Sequence, residues 1–137
     1  MMKIRKVKHG TAMPFVWVLM VLTMGQALKA QALSKNAICK NWKLDKYLEE
    51  GVYYAPKEVE NQDYLQLNKD MTFEAKMEGE SYSGSWMLNT NGEYLELKYK
   101  TKEVEKLRIQ HLTAATLVLT YDVEPYRYTE AHYVTCQ

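Results

Sequence analysis

The stretch "YSGSWMLNTNGEYLELKY", residues Tyr82 to Tyr99, contains two short runs separated by Asn89-Thr90-Asn91-Gly92. In the second run Leu95, Leu97 and Tyr99 fall on one side of a strict alternation, and Tyr94, Glu96, Lys98 and Lys100 fall on the other. A period of two is the signature of a strand with one buried and one wet face. Asn-Gly readily adopts the positive backbone angles of a tight hairpin, so the two runs read as antiparallel neighbours. Gly84 lies two residues before Trp86, on the same face. With no side chain there, a neighbouring backbone or ring can approach closely and the strand can bend.

The same alternation extends in both directions. Upstream, Met71, Phe73, Ala75 and Met77 oppose Thr72, Glu74 and Lys76, and Asn68-Lys69-Asp70 turns the chain back to Leu65 and Leu67. Further upstream Trp42 and Leu44 alternate with Lys43 and Asp45, before a loop around Gly51 to Pro56. Downstream, Leu107 and Ile109 alternate with Lys106, Arg108 and Gln110. Leu117, Leu119 and Tyr121 follow, then a tyrosine-rich strand from about Tyr126 to Thr135. These eight strands have connections too short for crossovers, so they must be antiparallel. The expected fold is all-β, an eight-stranded antiparallel up-and-down barrel, with a two-sheet sandwich as the alternative. One helical turn is expected between Ser34 and Lys40, with Ser34 as its N-cap.

The N-terminus has a different character. Lys3, Arg5, Lys6 and Lys8 precede a ten-residue apolar run from Phe15 to Met24, and a small-residue stretch follows from Ala27 to Ala32. That order predicts a secretory signal peptide over residues 1–32, and the run is short of the roughly 20 residues a membrane span needs. Cys39 is not preceded by the small residue that a lipoprotein anchor requires, so free secretion to a periplasmic or extracellular space is expected, with no transmembrane anchor after cleavage. Residues 33–137 would then form one domain with 13 basic and 17 acidic side chains, a net charge of −4. A mildly acidic domain speaks against nucleic acid as a partner. Cys39 and Cys136 stand near its two ends. In an oxidising compartment they suggest one disulfide, worth about 4 to 5 kcal/mol through the unfolded chain. Two separate thiols are the alternative.

Four pieces resemble, in order, the compact bacterial lipocalin-like domains of secreted proteins. "ICKNWKLDKY" is similar to their opening strand, "LQLNKDMTFEAK" to their Asp-Gly hairpin, "YSGSWML" to a second Gly-x-Trp strand, and "RIQHLTAATLVL" to a later hairpin. The resemblance spans about Ile38 to Leu119. It departs at Lys40 and Asn41, near the usual first-strand glycine, and at Met71, where the turn glycine would stand. It implies a calyx-shaped barrel and no particular ligand.

In such a barrel the inward residues that would line a ligand pocket are Phe73, Met77, Trp86 or Met87, Leu95, Leu97, Tyr99, Leu107, Leu119 and Tyr121. Trp42 and Trp86 also suit the filling of a closed end. Tyr53 and Tyr54, in the first long loop, are candidates for an aromatic lid or a contact for an envelope protein. Arg108 and Arg127 are the only arginines of residues 33–137, and one of them would close over Trp42 as a cation, with Arg108 reading more readily as a solvated charge. No catalytic constellation, metal site or cofactor motif is legible. His111 and His132 lack metal-ligand spacing, and His132 could point inward in a structural role. The acidic groups Glu49-Glu50, Glu58 with Glu60, and Glu74 with Glu78 and Glu80 are expected to be solvated. A non-enzymatic binder of a small apolar or amphipathic molecule is the leading expectation. A filled barrel that engages an envelope protein through its loops is its rival.

Overall fold

The computed structural model describes residues 35–89 and 93–136. The expected leader, the Ser34 cap and the Thr90 to Gly92 part of the hairpin turn lie outside them. A single helical turn, α1 (Lys35–Ile38), leads into nine strands among the described residues: β1 (Asn41–Glu49), β2 (Val52–Tyr54), β3 (Tyr64–Leu67), β4 (Thr72–Met77), β5 (Glu80–Leu88), β6 (Tyr94–Tyr99), β7 (Val104–Leu112), β8 (Thr116–Tyr121) and β9 (Thr129–Thr135). From β3 to β9 each strand pairs with its sequence neighbour. β9 closes on β1, whose other edge takes β3 beside its first residues and β2 beside its last. All pairings are antiparallel, so β1 and β3 to β9 are the eight staves of a closed up-and-down barrel. Closure satisfies the strand edges that an open sheet would expose.

β2 was not expected. Glu49 pairs with Val52 across Glu50 and Gly51, which have φ of 49° and 77°. Met77 likewise pairs with Glu80 across Glu78 and Gly79, at 51° and 80°. Positive angles at both central residues make these two-residue hairpins of the type that matches strand twist. The Gly51 segment therefore folds back as a strand instead of continuing as a loop. The last strand also starts later than expected, because Tyr126–Tyr128 forms a 3-10 turn before β9 begins at Thr129.

Two bulges set which side chains enter the barrel. On β1 the register against β9 shifts between Leu44 and Lys46. Trp42 and Leu44 face inward before the shift, and Tyr47, opposite the buried Ala131, faces inward after it. A second shift on β7 lies between Ile109 and His111, so Leu112 joins Leu117. An extra residue in one strand switches the parity of everything beyond it.

Gly84 is obligatory for packing. A Cβ there would sit 2.0 Å from the Lys98 carbonyl oxygen and 3.0 Å from the Phe73 ring. The close approach of both a backbone and a ring is the reason for glycine at this place. Met71 keeps φ at 70°, the left-handed conformation for which a turn glycine is suited. Its carbonyl accepts from the Trp86 N–H at 2.8 Å, and its N–H donates to Asn68 at 3.1 Å. The turn geometry survives the departure in residue type.

Candidate functional site

The two ends of the barrel differ in chemistry. At one end, where β1 begins and β9 finishes, Trp42 is fully enclosed and its indole N–H donates to the Ile38 carbonyl at 2.9 Å. Trp86 is equally enclosed and donates to the Asn68 carbonyl at 2.9 Å. Lys40 lies over the Trp42 ring, 5.6 Å from its centroid, and its Nζ donates to the Ala114 carbonyl at 2.7 Å. Lys40 thus covers the tryptophan, and Arg108 does not. Arg108 lies on the outer wall over Tyr94 and donates to the Tyr94 hydroxyl. Met87 is 53 % exposed, so the fourth-stave ambiguity resolves in favour of Trp86 as the inward residue.

The expected disulfide is absent. Cys39 and Cys136 are free thiols, although both stand at the tryptophan end. The Cys136 N–H donates to the Asn41 carbonyl at 3.1 Å, which sets Cys136 against Asn41, two residues along the chain from Cys39. Cys39 meanwhile packs against the core beside the bend that leads out of α1.

Above the tryptophan end, Phe73, Leu95, Leu97, Leu107 and Leu119 form a packed floor with Leu65, Leu67 and Leu117. Of the residues expected to line a pocket, these and Trp86 are core. Tyr99 and Tyr121 border open space, while Met77 is partly buried beside Tyr99. The cavity lies at the opposite, tyrosine end. It is an open cleft of about 450 Å³ lined by Tyr99, Glu103, Val104, Glu105, Lys106, Tyr121, Asp122 and Val123, with Tyr99, Glu105 and Tyr121 on the inward face and Val104 and Val123 exposed at the rim. An aromatic column rises to it from the floor: Phe73 meets Tyr99 edge-on at 5.5 Å between centroids, and Tyr99 meets Tyr82 at 5.6 Å.

Glu105 is the residue that the sequence pattern left unmarked. It pairs with Leu97 across β6 and β7 and so shares the inward face. Its Oε1 accepts the Tyr99 hydroxyl at 2.8 Å. Burial pushes its carboxyl above the ordinary glutamate range, partly offset by that hydrogen bond. Extending the Leu107 and Ile109 alternation back by one step would have placed Glu105 on the buried face. Burial likewise holds the hydroxyls of Tyr47, Tyr99, Tyr121 and Tyr133 well above the ordinary tyrosine range. Neighbouring acids push in the same direction, Glu60 on Tyr47 and Glu105 on both Tyr99 and Tyr121.

Part of the mouth is roofed by the segment between β2 and β3. Glu60, expected to be solvated, is only 7 % exposed, and its carboxylate accepts from the Tyr47 hydroxyl at 2.5 Å and the Lys57 N–H at 3.0 Å. Asp63, also buried, accepts from the N–H groups of Glu78 and Gly79 at 2.7 and 3.1 Å. These acids latch the segment to β1 and to the β4–β5 turn, leaving the β6–β8 side of the mouth open. Tyr53 is not over the mouth. Its ring lies on the outer wall, where Lys46 stands 4.5 Å from its centroid and His132 5.7 Å away. Tyr54, opposite Tyr47 on the short β2 arm, is exposed. His132 points outward, not inward, and its Nε2 is 2.8 Å from Glu130. Among the described residues no group of three or more His, Cys, Asp or Glu side chains could hold a metal ion, and no helix is long and apolar enough to cross a membrane.

A closed eight-stranded antiparallel barrel, sealed at one end by tryptophan and bearing an open cleft at the other, has the architecture of a lipocalin-like calyx. The chain belongs to the lipocalin-like domain family, whose pattern matches residues 38–119. Its fold is similar to that of a lipocalin-like protein from Bacteroides uniformis ATCC 8492, with 13% sequence identity and a TM-score of 0.54, covering 73% of this chain and 99% of the other. No curated protein matches this sequence.

Proposed function

We propose that this protein is a secreted or periplasmic, non-catalytic binder that holds a small amphipathic molecule at the tyrosine end of its barrel. The observation that carries this reading is the asymmetry of the two ends: one is closed by Trp42 and Trp86, while an open cleft of about 450 Å³ borders Tyr99, Glu105 and Tyr121 at the other. A concave site with apolar walls and a few convergent polar groups suits a ligand with one polar end. Phe73, Leu97 and Leu107 form the floor beneath it, and the order of basic, apolar and small residues over 1–32 supports export.

Nile red, a neutral dye that brightens in apolar surroundings, tests the reading. Saturable one-to-one binding that is lost in Val123→Trp, which places an indole at the exposed rim of the cavity, is the expected result. No saturable binding to the wild-type chain would contradict it.

A second reading, capture of an envelope protein, draws on β2. This terminal strand carries Val52, Tyr53 and Tyr54, all more than half exposed. On that reading, Tyr53→Ala with Tyr54→Ala abolishes partner capture and leaves dye binding intact.

A further inference from the structure

Resting on the reading of the tyrosine end as a ligand site, we infer that the ligand is a cationic amphiphile, an amine whose ammonium group pairs with Glu105 between Tyr99 and Tyr121. Three features of the cavity support the assignment together. The first is the aromatic walls: Tyr99 and Tyr121 both border the open space, and tyrosine faces attract a cation that has left water. The second is the inward position of Glu105, opposite Leu97, among otherwise apolar and aromatic inward side chains. One of its oxygens accepts from Tyr99, and among the described residues no ion pair involves it.

The third is that Lys106, the one lysine among the lining residues, and Arg127, beside Asp122, are engaged elsewhere. Lys106 is paired with Glu96 on the outer face, 3.9 Å away, and lies 5.7 Å from the centroid of the Tyr94 ring. Arg127 is held by Asp122 at 3.6 Å and by Glu124 at 3.5 Å. Glu103 adds a further negative charge at the rim. A carboxylate ligand would meet Glu105 and Glu103 with no free cation among the described residues of the cavity to receive it. An ammonium supplies the missing counter-charge and makes charge-assisted hydrogen bonds to Glu105. The exposed Val104 and Val123 at the rim suit an adjoining alkyl or aryl group.

The test is displacement of Nile red by decylamine, decanol and decanoate, each below its aggregation threshold and at one ionic strength. Decylamine should displace the dye at about tenfold lower concentration than decanol, as one charge-assisted contact would give, with decanoate the weakest. Glu105→Gln should raise the amine's half-displacement concentration about tenfold relative to decanol's. Should that variant fail to fold, Glu103→Lys on the exposed rim must weaken the amine relative to decanol. If all three compounds compete equally and Glu105→Gln changes nothing, the amine assignment is overturned while ligand binding stands. Preferential binding of decanoate overturns it as well. Failure of Nile red to bind the wild-type chain overturns both readings.

Discussion

Gly84 and Glu105 show how one residue type at one inward position can serve packing or be retained at its expense. At Gly84 even a methyl group would meet the Lys98 carbonyl oxygen, which is backbone and cannot rotate away. Gly84→Ala is expected to lower stability by about 3 kcal/mol, read as a lower midpoint of urea unfolding. Glu105 is the opposite case. Its carboxyl is held above the ordinary glutamate value, so its contribution to stability is fully present below that value and is lost as pH rises through the raised one. At neutral pH the wild-type chain therefore carries a penalty that Glu105→Gln removes. Thermal melts should show the variant more stable than wild type at pH 7, with the gain shrinking as pH falls toward 4. A variant that is less stable at neutral pH would contradict a carboxylate whose burial outweighs its Tyr99 hydrogen bond. The role of Gly84 was legible in the sequence, because a glycine two residues from an indole on one strand face leaves room for a close neighbour. Glu105 and Glu60 were not. A lone glutamate is normally solvated, and only the strand register shows that Glu105 faces inward and only the Tyr47 hydroxyl that Glu60 is enclosed.

Among the strands, alternation predicted the staves well because every stave buries one face. What it missed were departures from alternation. The β1 bulge places Tyr47 inside, where unbroken parity would place Lys46 or Leu48. The β1–β2 hairpin was missed because its turn is Glu-Gly, a weaker signal than Asn-Gly. Tyr126 to Tyr128 have strand-like composition but form a 3-10 turn. The two Glu-Gly turns offer a controlled comparison, since their glycines have φ of 77° and 80°. An added Cβ at Gly51 would meet nothing within 4 Å, whereas at Gly79 it would lie 3.0 Å from the Val59 side chain and 3.2 Å from its carbonyl oxygen. Gly51→Ala should cost about 1 kcal/mol, the backbone penalty alone. Gly79→Ala should cost measurably more, because the roofing segment must also shift. Equal losses in denaturant melts would show that this segment is not packed on the turn.

Over the whole barrel the contrast is between a sealed tryptophan end and a tyrosine-rich end that combines burial with acidic groups. Tyr47, Tyr99, Tyr121 and Tyr133 all hold their protons beyond the ordinary tyrosine value of 10.0. Their contribution to stability is complete below pH 10 and is lost as pH rises through their raised values. An alkaline titration followed by phenolate absorbance should therefore show these four tyrosines ionising only as the barrel unfolds. Ionisation of all four while the barrel stays folded, as judged by circular dichroism, would contradict the described interior. The fold could be read from sequence because closure follows from strand count and short connections. The site could not, because strand pattern alone does not say which inward residues are packed and which border open space.

Whether the barrel carries a ligand is decided by the native mass of the protein isolated from the cells that make it, set against its denatured mass. An occupied barrel predicts one discrete excess, released on denaturation and recovered in organic solvent as a molecule bearing a basic nitrogen. Identical native and denatured masses, in a chain that also fails to take up added decylamine, would contradict ligand binding at the tyrosine end.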